Sequence, residues 1–283
     1  MSNISFEHVS ISHETKFHKV NQDYHGVYSG DFGELYIVTR GIGKEGCEII
    51  SSLATLTIAE LFEKLTNKYD SILALKIAFQ NATKEVLTHI SKHQWLTNSG
   101  ATVALVLRNS EGVFLAHAGD CRIFLLRKNK ITCLTKDHFS YKDITPISDK
   151  DESNKNLEIP VIYNTIGMTH VEPEIIEGTK FYKGDVIFIT TKGVYQRVTR
   201  HEMIKAFEKN DLETGIFRLW DFAKDKKAQE DFTMIALKAE TAAVLPMILS
   251  DIKHEKMKFI VLTGIFILCL ILVKIKMFPY FWG

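Results

Sequence analysis

The start of the sequence lacks a secretory leader. Met1 to His13 is polar and alternating, without the charged opening and apolar run that export needs, so the front of the chain is expected to stay in the cytoplasm. The four cysteines, Cys47, Cys121, Cys133 and Cys269, form no C-x-x-C pair, and none of the 11 histidines falls in an H-E-x-x-H spacing. Structural zinc is therefore not expected, and a reduced setting is. Charge of one sign is missing too. Lysine and arginine number 35 against 34 aspartates and glutamates, so no whole-molecule field argues for nucleic acid or acidic substrates. No internal repeat is visible. What remains is ordinary globular composition: 283 residues, 46% hydrophobic and 24% charged, enough for one large domain with a full core plus an appendage.

The appendage is the one long hydrophobic run. Phe259 to Val273 reads FIVLTGIFILCLILV, after Lys253, His254, Lys256 and Lys258 and before Lys274 and Lys276, with Phe278, Tyr280, Phe281 and Trp282 near the end. As a helix the strict run spans ~22 Å against a hydrocarbon core of ~30 Å. Snorkelling lysines and interfacial aromatics make up the difference. A buried core helix is the alternative, but such a helix seldom lacks polar positions on every face. The expectation is a domain over 1–240, a juxtamembrane linker over 241–258 and a single-pass C-terminal anchor over 259–281, with the domain cytoplasmic.

Within the domain, alternating or short apolar runs predict strands over Ile4–His13, Asp23–Tyr28 and Glu34–Thr39. Helical periodicity predicts Cys47–Leu65, facing inward with Ile50, Leu53, Ala54, Leu56 and Leu61, and Ser71–His93, facing inward with Leu75, Ala78, Phe79, Val86 and Ile90. Strands follow at Ala101–Leu107, Gly112–His117, Arg122–Arg127, Lys130–Leu134, Leu157–Tyr163 and Val186–Thr190. Two short helices fit Arg200–Lys226, and Phe232–Lys238 is a last strand. Strands in runs with helices set apart indicate α+β layers. Gly41, Gly43 and Gly46 spell G-x-G-x-x-G between a strand and a helix, yet a second long helix follows where a dinucleotide fold must return to a parallel strand, so no dinucleotide is expected.

Several segments in order resemble the motifs of the PPM, or type 2C, metal-dependent protein phosphatases. Asn21-Gln22-Asp23 is similar to N-(E/Q)-D, Leu35–Gly46 to the strand and turn written A-D-G-M-G-G, and Ser99–Leu107 to the G-T-T strand. Ala116–His138 resembles G-D-S-R followed by L-T-x-D-H, and Asn164–Gly167 stands where the family has N-x-x-T-R-x-L-G. Lys183–Thr199 resembles G-D-x-x-L-L-x-S-D-G, and Glu230-Asp231-Phe232-Thr233 the D-N/D-x-T strand start. The resemblance covers nearly everything before the tail. It implies a four-layer α-β-β-α sandwich of two antiparallel sheets with the site at one end, plus here a C-terminal transmembrane helix.

The resemblance also implies two manganese or magnesium ions, held by aspartates and a glycine carbonyl, activating water against a phosphoserine or phosphothreonine ester. Carried across, Asp23, Gly41 and Asp231 are retained metal positions. The other two aspartates are Arg40 and Lys192, and the phosphate-holding arginine is His18, beside Lys19. A unit cation ~4 Å from a divalent ion is repelled by ~8 kcal/mol at an effective dielectric of ~20, whereas Arg40 and Lys192 would neutralise Asp23 and Asp231 directly. No metal is then expected. Arg40, Lys44, Lys192 and His18 become a candidate phosphate cradle at the helix starting near Gly46. The reading is a membrane-held pseudophosphatase in signalling that binds or scaffolds a protein or phosphoprotein. The alternative is a weak phosphatase keeping one manganese or magnesium on Asp23, Gly41 and Asp231. Asp120 and Arg122 are expected to fix their hairpin, Trp220 and Phe222 to be helix core, and His117 and His138 to satisfy local hydrogen bonds.

Overall fold

The structure, a computed structural model, describes residues 4–15, 18–43, 45–65, 68–144, 157–208, 211–227 and 230–240, with side chains placed outside 141–160. Lys44, the linker 241–258 and the run 259–281 lie outside the described residues. No described helix is long and apolar enough to cross a membrane.

The chain runs β1 (Phe6–His13), β2 (Asp23–Gly30), β3 (Gly33–Ile42), α1 (Cys47–Leu65), α2 (Ser71–Lys92), β4 (Gly100–Arg108), β5 (Val113–Ala118), β6 (Arg122–Arg127) and β7 (Lys130–Cys133). It continues through β8 (Phe139–Ile144), β9 (Leu157–Ile162), β10 (Glu174–Ile176), β11 (Val186–Thr190), α3 (Lys192–Arg197), α4 (Arg200–Ala206), α5 (Leu212–Ala223) and β12 (Phe232–Ala239). Two five-stranded sheets result, ordered β1-β12-β11-β6-β7 and β10-β5-β4-β3-β2, with β8–β9 a separate hairpin. All pairings are antiparallel.

The strands read as nearly continuous apolar runs because each central strand is buried on both faces. In β3, Leu35 and Ile37 pack with α1 and α2, while Tyr36 and Val38 pack between the sheets. In β11, Val186 and Phe188 meet α3–α5 while Ile187 and Ile189 face the other sheet. A two-residue period thus feeds two cores from one strand, and the α-β-β-α layering follows. On α1 the buried row includes Ile50, Ala54, Ile58 and Phe62, whereas Leu56, expected inside, is 48% exposed, about a third of a turn off that stripe. Strands β8 and β10 and helix α3 were not expected. Strand β10 is three residues long, and α3 is one and a half turns, too short for a periodic signal. Trp220 stacks on His13, centroids 3.9 Å apart, and packs against Phe232.

Candidate functional site

One end of the sheet pair gathers the start of β2, the end of β3, the β5–β6 turn, the β11–α3 junction and the residues before β12. Asp23 opens β2 directly across from Arg40 in β3. Arg40 continues the inward row of Tyr36 and Val38, so its guanidinium enters the space between the sheets and is 6% exposed. A charge there needs partners. It finds both oxygens of Asp120, at 2.9 and 2.8 Å from Nη2, and Glu230, at 3.3 Å from Nη1. Burial alone would lower the guanidinium's pKa, but Asp120 and Glu230 outweigh burial and hold it above its ordinary value. Lys192, the first residue of α3, reaches the other oxygen of Glu230 at 3.2 Å. The four side chains form a continuous series, Asp120–Arg40–Glu230–Lys192.

The direct neutralisation of Asp23 and Asp231 expected from sequence is therefore corrected. Both basic residues turn to Asp120 and Glu230 because those carboxylates lie on the inter-sheet side, where Arg40 must point. Asp231 is 1% exposed and satisfied by N–H donors. Its Oδ1 accepts from the Thr15 backbone at 2.7 Å, and its Oδ2 from the Gln22 backbone at 2.7 Å and from His18 Nδ1 at 2.9 Å. It ties the segment before β2 to β12, and His18 serves that tie rather than standing free for phosphate. Asp23 is also buried. Its Oδ2 accepts from the Thr191 hydroxyl at 2.7 Å, while its Oδ1 has no partner among the described residues. Burial, with Asp231 adding and Thr191 and Arg40 opposing, pushes its carboxyl up to about 7.

Two glycines are fixed by close approach. A Cβ on Gly41 would run into the Cys47 carbonyl oxygen at the start of α1, and one on Gly193 into the Asp231 carbonyl oxygen. The cradle proposed around Arg40, Lys44 and Lys192 is not assembled among the described residues, since Arg40 and Lys192 both spend their charge on Glu230. Asp120 and Arg122 do not pair with each other. Arg122 binds Asp137 through two bonds of 2.8 and 2.7 Å and lies over the Tyr195 ring, whose hydroxyl donates to the Asp120 carbonyl.

His117, His138 and Glu174 come within ligand distance of one another. The Gly119 N–H donates to His138 Nδ1 at 3.1 Å, which leaves the hydrogen on Nε2, facing Glu174 at 3.5 Å. A metal would need a lone pair there, so His138 serves local hydrogen bonds, while the buried Nδ1 of His117 has no partner among the described residues.

Comparison with known proteins adds the decisive observation. Residues 17–143 match the family described as Protein phosphatase 2C. The domain belongs to the protein phosphatase 2C family. A putative protein phosphatase of Mycoplasma genitalium is 21% identical over 241 residues, covering 79% of this chain and 91% of the relative. The serine/threonine phosphatase stp of Listeria monocytogenes is 23% identical over 194 residues, covering 65% and 75%. Among solved structures, the serine/threonine phosphatase PstP/Ppp of Mycobacterium tuberculosis superposes with a TM-score of 0.66 at 20% identity, covering 84% of this chain and 99% of that one. A PstP catalytic domain solved with two manganese ions gives a TM-score of 0.65 at 19% identity, covering 84% and 100%.

The residues of this protein phosphatase 2C domain do not fit a two-ion centre. Hard divalent ions want about six oxygen ligands. Here Arg40 and Lys192 stand at two of the ligand positions that the family resemblance implies, Asp231 has both oxygens engaged by N–H donors, and burial raises the Asp23 carboxyl well above its ordinary pKa. Among the described site carboxylates, Asp23 Oδ1 is the one oxygen left without a partner, the single feature in favour of a cation. Glu230 and Asp120 are the site acids that sequence reasoning missed. The inward row through Tyr36, Val38 and Arg40 was the available signal, because it demands buried counter-ions.

Proposed function

We propose that this protein phosphatase 2C domain works without metal, binding a protein or phosphoprotein partner and leaving phosphoesters uncut. The reading rests on the series Asp120–Arg40–Glu230–Lys192, which puts two tethered cations where the family resemblance implies carboxylate ligands. Lys192 keeps 27% of its side chain exposed, so it is the site cation that a partner's phosphate would meet first. The C-terminal segment 259–281 holds the chain at a membrane with the domain on the cytoplasmic side, in a signalling role.

The test is a calorimetric titration of the full chain with manganese alongside turnover of a phosphopeptide. The expected result is no saturable manganese binding and no turnover. Micromolar manganese binding with turnover that disappears in Asp23→Asn would replace this reading by the second one, a weak phosphatase holding a single ion on Asp23, the Gly41 carbonyl and Asp231. The unsatisfied Asp23 Oδ1 is what favours that alternative.

A further inference from the structure

We infer that the end of the domain opposite the site is a docking face for an anionic phospholipid surface. The strand registers define that end. Thr190 of β11 sits across from Arg122 and Met234 beside the site, whereas Val186 sits across from Leu126 and Lys238. Four residue steps of strand separate the two levels, roughly 13 Å. At the far level the β6–β7 hairpin turns through Lys128 and Asn129, both with positive φ, and the loop before β11 packs beside it.

The two segments are locked together by Arg127. Its guanidinium binds Asp185 at 2.9 and 2.6 Å and the Lys180 carbonyl at 2.6 Å, and lies 4.5 Å from the centre of the Tyr182 ring. Asp185 is thereby neutralised. Lys128, Lys130, Lys180 and Lys183 are all exposed, and none is in an ion pair among the described residues. Glu177, at the start of the same loop, is exposed and pairs with none of them. Tyr182 is 52% exposed between these lysines, an aromatic of the type that seats at a membrane interface. A groove of about 320 Å³ lined by Leu125, Arg127, Lys128, Lys130 and Thr132 runs beside the hairpin and offers room for a phosphodiester headgroup.

The place where the chain leaves the domain selects lipid over other polyanions. The Gly184 N–H donates to the Ala239 carbonyl at 2.8 Å, and the Ala239 N–H donates to the Asp185 carbonyl at 2.9 Å. The last described residue, Glu240, is thus next to the basic loop, and the apolar run begins after 18 intervening residues. The proposed anchor thus brings a bilayer within reach of this end. The inference rests on the proposed anchoring, and each lysine near an anionic surface favours contact roughly fivefold.

The experiment is cell-free synthesis of the full chain with vesicles of phosphatidylcholine alone or with added phosphatidylglycerol, followed by flotation and amine acylation read by mass spectrometry. With phosphatidylglycerol, Lys128, Lys130, Lys180 and Lys183 are expected to be protected several-fold relative to Lys19, which is 89% exposed near the site end. In neutral vesicles they label freely. The variant K128E/K130E/K183E should float equally well and lose the protection of Lys180. Flotation with both lipids but equal labelling overturns the docking face and leaves the anchor standing. No flotation with neutral vesicles, but flotation and protection with anionic ones, removes the anchor and supports the face.

Discussion

Arg40→Met tests whether the ion series holds this end of the sandwich together. The substitution keeps an unbranched apolar stem, shorter than arginine, and removes its charge, leaving Asp120, 0% exposed, without the two bonds of 2.9 and 2.8 Å. Removing one partner of a buried pair costs about 3–5 kcal/mol, chiefly because the other charge stays buried alone. Glu230 adds little, since it is a quarter exposed and keeps Lys192. For a domain spanning Asn3–Ala243, a loss of that size lowers Tm by roughly 10 °C. Urea unfolding followed by circular dichroism gives the free energy directly. Adding Asp120→Ala to Arg40→Met removes the stranded charge, so the double variant should recover part of the loss, with a coupling energy above about 2 kcal/mol. A loss under about 1 kcal/mol for Arg40→Met, or strict additivity in the cycle, would refute the view that Arg40 is a structural cation.

Three further outcomes are expected. The variant Arg40→Asp/Lys192→Asp should acquire a manganese-dependent rise in Tm that is expected to be absent from the natural chain, worth about 2.7 kcal/mol at a hundred times the Kd, read by differential scanning fluorimetry. Asp23 has a folded pKa raised from 3.8 to about 7, so its contribution is fully present below pH ~4 and is lost as pH rises through about 7. Asp23→Asn should therefore flatten the stability–pH curve over that window, with a difference at pH 8 of at most about 4 kcal/mol, measured by urea unfolding at each pH. Asp231→Ala removes the acceptor of the Thr15 and Gln22 N–H groups and should cost roughly 2–4 kcal/mol with or without manganese; a cost that appears only with manganese present would make Asp231 a ligand instead.

The layers were legible in the sequence because burial on both faces leaves long apolar runs, as in LYIVT of β3, and because α1 and α2 are long enough for a 3.6-residue period to show. The site was legible as a place but not as a set of contacts. Motif order brings Asp23, Arg40, Lys192 and Asp231 to one end, yet which acid meets which base depends on side-chain direction. Adjacent Glu230 and Asp231 illustrate the limit. Asp231 turns to backbone N–H groups across 216 and 209 residues of chain, whereas Glu230 turns to the two cations. Nothing local distinguishes them, because the donors at Thr15 and Gln22 are positioned by tertiary pairing.

The site's charges explain why a divalent ion is not needed for its cohesion. Four carboxylates meet there, and each is compensated separately: Asp120 by Arg40, Glu230 by Lys192 together with the outer nitrogen of Arg40, Asp231 by three N–H donors, and Asp23 by burial that favours a proton. An ion pair of total charge about +4 would meet two fixed cations and could not engage Asp231 without displacing its donors. Substituting one basic residue would not reopen the site, because Glu230 would stay held by the other. On the proposed metal-free reading, metal binding is therefore expected only when Arg40 and Lys192 are both replaced by carboxylates, and single replacements should show no manganese response.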